Sequence, residues 1–436
     1  MALPVAPSAL PPGGAAGGPA EPDPRRPLDT TSALAGVRVL DLSRVLAGPW
    51  CSQLLADLGA DVVKVERPGN GDDTRAWGPP WLEREDGSQR AESAYFLSAN
   101  RNKRSLTVDL AQPEGQHLVR ELALKADVFI ENFKTGGLAQ YGLDYTSLAP
   151  LNPRLIYASI TGFGQSGPYA QRPGYDFLVQ GMGGLMSLTG RPDGEPGGGP
   201  MKAGVALTDV MTGMYATVAV LAALQRRHTS GHGQHIDLAL LDVQVAALAN
   251  QASNFLIGGQ VPERMGNAHP NIVPYQDFPT ADGHMIVTVG NDRQFASLCA
   301  VLGHPGWATD ERFVNNAQRV RYRDDLVARI RAVTSTRTTD AWVGAMEAAN
   351  VPCGPINTLD RVFADPQVQA RGLRIEMPHA TAAAVPLVAN PIRLSESPVT
   401  YRRAPPSLGQ HTEDVLADWL ALDPQAIAEL RGRHIV

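Results

Sequence analysis

Residues 37–66 read VRVLDLSRVLAGPWCSQLLADLGADVVKVE. Val37 to Asp41 is short and apolar, which suits a buried strand better than a helix. Gly48-Pro49 marks a turn. From about Cys51 to Leu58, Leu54, Leu55 and Leu58 share one helical face, and Gly59 ends it. Val62 to Glu66 is a second apolar strand. Strand, helix and strand in such a short span make a βαβ unit, and apolar strands without alternation belong to a sheet covered on both faces.

The alternation continues outward. A helix opened by Pro113 and carrying Leu118, Leu122 and Leu124 leads to a strand at Asp127 to Glu131, and another strand lies at Leu155 to Ile160. Thr208 reads as the cap of a long helix reaching about Arg227. Gln234 to Asp242 reads as a strand entering a further helix. The expected class is α/β, a doubly wound, mostly parallel sheet. Around Pro274 the texture changes: Tyr275–Phe278 and His284–Val289 flank an Asp282-Gly283 turn, an antiparallel pair. Helical stretches follow near 292–302, 322–334 and 339–349. The expected organisation is a disordered Pro/Gly/Ala-rich extension (1–33), a large α/β domain (34–274) and a small α+β domain (275–365). A C-terminal segment (366–436) then returns to the large one.

With 436 residues, 43% hydrophobic and 19% charged, the chain can bury a large core. A net charge of −6 offers no basic footprint for nucleic acid. Cys51, Cys299 and Cys353 are scattered and odd in number, so neither a disulfide framework nor a zinc pattern follows, and a reducing compartment is expected. The extension lacks the charge and apolar core of a secretion signal and the early arginines of a transit peptide, which leaves the cytoplasm. The longest apolar stretch, Val210 to Leu224, is interrupted by Thr212, Gly213, Tyr215 and Thr217. It reads as a buried helix rather than a membrane span.

Gly162-Phe-Gly164-Gln-Ser-Gly167 matches the dinucleotide-binding pattern after a strand, but that chemistry needs a helix to begin there. Pro168, Pro173 and Gly174 forbid it. His228, His232 and His235 have no metal-site spacing and read as a surface turn.

Asp209 sits in the first turn of an apolar helix, where backbone N–H groups and the helix dipole favour its charged form. A poorly solvated carboxylate can attack an activated acyl carbon, although an aspartate here is more often only electrostatic support. Arg67 follows one strand and Glu131-Asn132-Phe133-Lys134 spans the end of another, at the sheet edge where open α/β folds bind ligands. Asn100 to Ser105 is a basic cluster suited to phosphates or to a solvated surface.

Together these segments closely resemble the family III CoA-transferases. The matching blocks are LAGVRVLDLSRVLAGP (34–49), LGADVVKVERPGNGDDTR (58–75), NRNKRSLTVDL (100–110), ADVFIENF (126–133), NPRLIYASITGFGQSGP (152–168), ALTDVMTGMYA (206–216) and VPCGPI (351–356). The resemblance implies that Asp209 is the catalytic nucleophile. It implies CoA-binding positions at Leu46, Ala47, Arg67, Val108 to Ala111, Asn132, Phe133, Lys134, Gln140, Tyr175 and Asp176, and acyl-pocket positions at Trp77 and Tyr95. It also implies an interlocked homodimer and acyl-CoA with small carboxylic acids as substrates. No permanent cofactor, metal, nucleic-acid partner or membrane is implied. The wording is most similar to the branch that moves CoA from succinyl-CoA to glutarate.

Two departures matter. The formyl-CoA branch has glutamine where Leu46 stands, so backbone N–H groups must stabilise an oxyanion here. Its long glycine-rich loop corresponds to the shorter Met265–Pro270, which disfavours formate and oxalate as substrates. Arg75, Arg104, His269 and Arg293 are open candidates for pairing with a distal carboxylate. Two alternatives remain. A 2-methylacyl-CoA racemase needs a histidine where Tyr175 stands, and tyrosine, with a pKa of about 10, is a poor base at neutral pH. A non-catalytic CoA-binding protein is the other, and the intact Asp209 block counts against it.

Overall fold

In the computed structural model, which describes residues 31–84, 87 and 90–436, the opening stretch becomes β1 (Arg38–Asp41), α1 (Ala47–Asp57) and β2 (Asp61–Glu66). The helix starts four residues earlier than its leucine pattern indicates, because Gly48 and Pro49 lie inside its first turn, where a missing proline N–H costs nothing. Four more strands complete the sheet: β3 (Lys103–Thr107), β4 (Val128–Glu131), β5 (Ile156–Thr161) and β6 (His235–Ala239). All neighbours are parallel, in the order β3-β2-β1-β4-β5-β6. The order in which the chain adds strands reverses between β1 and β4, and in open α/β sheets ligands bind at such a switch point, beyond the strands' carboxyl ends.

Successive residues serve opposite faces. Val39, Val62, Val128 and Ile156 pack with Cys51 and Leu55 of α1 and with Ala216, Val220 and Ala223 of a 24-residue helix, Leu207–Ser230. Leu40, Val63, Phe129 and Tyr157 pack on the other side with Leu118 and Leu122 of Pro113–Lys125, and with Val415, Leu416 and Trp419 of Thr412–Leu420. Each of these fully buried aliphatic side chains contributes roughly 1.5–3 kcal/mol, so the sheet is held from both sides.

The antiparallel pair forms as Tyr275–Pro279 with His284–Thr288, joined by a third strand, Cys353–Pro355. Helices Asp292–Val301, Arg323–Thr334 and Thr339–Ala348 cover it with Phe295, Ile330 and Trp342, a hydrophobic cluster separate from the other two. The C-terminal stretch returns to the sheet at several points. One is the His411 N–H, which donates to the Ser105 carbonyl of β3 at 3.0 Å, while Asn390 Nδ2 donates to the buried Asp57 at the end of α1 at 2.9 Å.

Residues 1–30 of the extension expected to be disordered lie outside the described residues. Just beyond them Ser32 is buried and the Leu34 N–H donates to the Leu58 carbonyl at 2.9 Å, so the chain is already packed two residues ahead of the expected boundary at 34.

Three expectations need correcting. The cluster at 100–105 is neither surface nor phosphate site: its side chains are buried, and Lys103 and Arg104 begin the edge strand β3. Thr208 does not cap the long helix. It lies inside the first turn, with its hydroxyl on Gln244 Oε1 at 2.6 Å. That helix is only half buried, because Met214, Tyr215 and Val218 face outward.

Candidate active site

The carboxyl rim of the sheet gathers the residues singled out from sequence. Leu46 and Ala47 follow β1, Arg67 follows β2, Val108 follows β3, and Asn132, Phe133 and Lys134 follow β4. The long helix, here α2 (Leu207–Ser230), precedes β6, so its first turn and Asp209 open on the same rim. α1 and α2 are in backbone contact there. A Cβ on Gly213 would lie 2.6 Å from the Ala47 carbonyl oxygen, and Gly213 is one turn, about 6 Å, along the helix from Asp209.

The N-terminus of α2 is capped from outside. Asp176, opening the helix Asp176–Met182, accepts the N–H groups of Thr208 at 2.9 Å and Asp209 at 3.2 Å through Oδ1, while Gln180 Nε2 donates to its Oδ2 at 2.7 Å. This overturns the expectation that the helix terminus favours a charged Asp209. The dipole already serves Asp176, and burial together with the Asp176 charge pushes the Asp209 carboxyl up to about 7. Its oxygens accept no hydrogen bond from the described residues. A carboxylate that is half-buried, unsolvated by donors and repelled by a neighbour is a reactive one.

Tyr95 and Trp77 belong to the same neighbourhood. Their rings meet edge to face at 5.2 Å. Burial, then the charges of Asp209, Asp176 and Asp72, drive the Tyr95 phenol up to about 12, so it stays a hydrogen-bond donor. Tyr175 is exposed beside Asp176. The glycine pattern at 162–167 has its own explanation: no helix starts between Thr161 and Asp176, and a Cβ on Gly162 would lie 2.5 Å from Gly174 Cα. The first glycine lets two chain segments touch just ahead of Tyr175.

Several candidates reach the rim with their side chains already engaged. Asn132 clamps the Arg44 backbone, accepting its N–H at 2.9 Å and donating to its carbonyl at 2.7 Å. Val108 is buried in the core, which leaves only backbone there for a ligand. Gln140 Nε2 donates to the Gly137 carbonyl at 2.9 Å. Arg67 and Lys134 are exposed. Of the four candidates for a distal carboxylate, two are excluded. Arg75 is buried against Glu66 and Glu92, and Arg104 against Asp61 and Asp418.

Sequence reading passed over a network of buried charges beneath this rim. Lys64 pairs with Asp72 at 2.9 Å and Lys103 with Asp41 at 3.3 Å, all four side chains fully enclosed. Burial would raise Asp41, yet Lys103, Lys64 and the Ser43 and Ser52 hydroxyls hold it below the usual range. Burial also lowers Lys103 to about 8. A lysine in the middle of the apolar strand DVVKVE was the available signal, since a charge inside a two-faced sheet must be paired.

The profile of CoA-transferase family III matches residues 34–412. The chain belongs to that family. The succinate–glutarate CoA-transferase of Agrobacterium fabrum is 55% identical over 390 residues, covering 88% of this chain and 95% of that protein. The human succinyl-CoA:glutarate CoA-transferase is 43% identical over 413 residues, covering 95% and 92%. A CAIB/BAIF family protein from Brucella suis, 50% identical, superposes with a TM-score of 0.78 over 89% of this chain and 99% of its own. As a family III member, the chain is a CoA-transferase, and acyl-CoA thioesters and carboxylates are its substrates.

Proposed function

We propose that this CoA-transferase moves CoA from succinyl-CoA to glutarate through covalent intermediates on Asp209. The observation that carries the reading is the Asp209 carboxylate itself, without a hydrogen-bond donor among the described residues and one helical turn before Gly213, where α2 touches Ala47 of α1. The names of the A. fabrum and human relatives support the two acids. One Asp209 oxygen attacks the succinyl carbonyl carbon, the C–S bond breaks, and CoA leaves as the thiolate. The thiolate attacks the aspartyl carbonyl of this mixed anhydride and expels succinate, leaving an aspartyl–CoA thioester. Glutarate attacks that thioester, giving a new anhydride and thiolate, and the thiolate takes the glutaryl carbonyl to release glutaryl-CoA and regenerate Asp209. Thioester energy is kept throughout, and no permanently bound cofactor is required.

In this reading Leu46, Ala47, Arg67, the backbone from Val108, Asn132, Phe133, Lys134, Gln140, Tyr175 and Asp176 border the CoA path. Trp77 and Tyr95 wall the acyl pocket. Tyr175 and Phe177, with Met214, Tyr215 and Val218 of α2, form an exposed apolar surface that an interlocked second copy of the chain would cover. Three free cysteines fit a reducing compartment, and the cytoplasm is the proposed location.

The test is incubation with succinyl-CoA and a panel of glutarate, malate, itaconate, citramalate and oxalate, with thioesters read by mass. Glutaryl-CoA is expected to lead. Hydroxylamine added to the succinyl-CoA-treated enzyme should leave a hydroxamate on Asp209. A fully active Asp209→Ala enzyme would end the reading.

A further inference from the structure

In the turn between β1 and α1, side chains hold every polar backbone atom from the Ser43 N–H to the Val45 N–H. Asp41 Oδ1 accepts the Ser43 N–H at 2.9 Å, and Lys64 Nζ donates to the Ser43 carbonyl at 2.7 Å. Asn132 grips both polar atoms of the Arg44 backbone, and both Asp72 oxygens accept the Val45 N–H at 3.2 Å. Val45 has φ of 72°. A β-branched residue in the left-handed region is a costly outlier that persists only where its surroundings dictate it. Asp72 and Lys64, an enclosed ion pair, are those surroundings. The next N–H groups, of Leu46, Ala47 and Gly48, have no acceptor among the described residues although all three residues are buried. They open α1 where it touches the helix of Asp209.

We propose that the Asp72–Lys64 pair is a positioning device: it forces Val45 into its left-handed conformation, and so aims the Leu46 and Ala47 N–H groups at the acyl oxygen that becomes negative when Asp209 attacks. This rests on the reading of Asp209 as nucleophile. Asp72 touches no substrate. It acts through Val45, and donors fixed before the reaction stabilise an oxyanion without reorganising.

The test uses Val45→Gly, because glycine adopts positive φ without help. The rate of Asp209 hydroxamate formation from succinyl-CoA and the KM for succinyl-CoA are measured in four full-length proteins: the natural chain, Asp72→Asn, Val45→Gly and the double variant. Asp72→Asn is expected to slow the reaction at least tenfold with KM within twofold. In the Val45→Gly background the same change should cost less than threefold. Equal losses in both backgrounds, or a loss carried by KM, would overturn the proposal. Should Asp72→Asn fail to fold, Lys64→Met/Asp72→Ala, which leaves no orphaned ammonium, replaces it in both backgrounds under the same criteria. If the natural enzyme forms no hydroxamate, the nucleophile reading fails by itself. The Asp72–Val45 coupling is then read from CoA-transfer turnover against the same thresholds.

Discussion

Asp209 carries a raised carboxyl pKa, and that shift makes it observable in two ways. In the proposed mechanism the attacking form is the anion, so kcat/KM for succinyl-CoA should rise about tenfold per pH unit below 7 and level off above it. Asp176→Asn keeps an oxygen for the Thr208 and Asp209 N–H groups but removes the neighbouring charge. The acid limb should therefore move to lower pH, although burial, the larger cause, still holds it above the ordinary range. A limb that moves upward or stays in place would show that Asp176 does not act on Asp209 through its charge. The same shift has a stability consequence. With the folded pKa above the unfolded one, ionisation penalises the fold from about pH 4 upward, and the penalty is complete above about 7. Asp209→Asn should thus melt higher than the natural chain at pH 8, with the advantage fading as the pH falls toward 4.

At the scale of elements, α1 and α2 owe their contact to one glycine. Replacing a helical glycine by alanine ordinarily gains up to about 1 kcal/mol of propensity. At Gly213 the new Cβ would lie 2.6 Å from the Ala47 carbonyl oxygen and 2.9 Å from Trp50 Cβ, neither of which can swing aside. Overpacking of this kind costs about 1–3 kcal/mol and wins. Gly213→Ala should lower the melting temperature and cut activity at least tenfold by separating Ala47 from Asp209. Gly344, in Thr339–Ala348, has nothing within 4 Å of its virtual Cβ, so Gly344→Ala should instead be stabilising by up to about 1 kcal/mol. Denaturant titrations of both variants decide the matter. If both move the same way, backbone contact is not what Gly213 is for. Elements of this kind were legible where apolar periodicity spoke without interference, as in β1, β2, β4 and β5. β3 was not, because Lys103 and Arg104 disguise an edge strand as surface. Only the fold brings Asp41 and Asp61 to neutralise them. The site divided in the same way. Asp209 stood out in the sequence, but the Asp176 cap and the Val45 clamp join residues more than 25 positions apart and leave no local pattern.

For the whole molecule, the outward face of α2 poses a question that packing inside one chain does not answer. Met214 and Tyr215 lie four and three residues before Val218 and so share its helical face, and Val218 is 64% exposed in the middle of a helix whose opposite face is sheet core. By length and hydropathy this helix could cross a membrane, yet it carries Asp209 in its first turn and lies along the sheet. Phe177 is exposed on the helix whose Asp176 caps α2, and Tyr175 is exposed just before it. A surface of this extent bordering a reaction centre fits a second copy better than solvent. Val218→Glu would set a charge into the middle of such an interface, where an unpaired ion costs several kcal/mol, whereas Val218→Ala removes only a little apolar area. Sedimentation should find the natural chain and Val218→Ala as dimers and Val218→Glu shifted toward monomer, with CoA-transfer activity falling alongside. A Val218→Glu protein that sediments as a dimer at full activity would place the interface on another face, and the apolar row on α2 would then need a different partner.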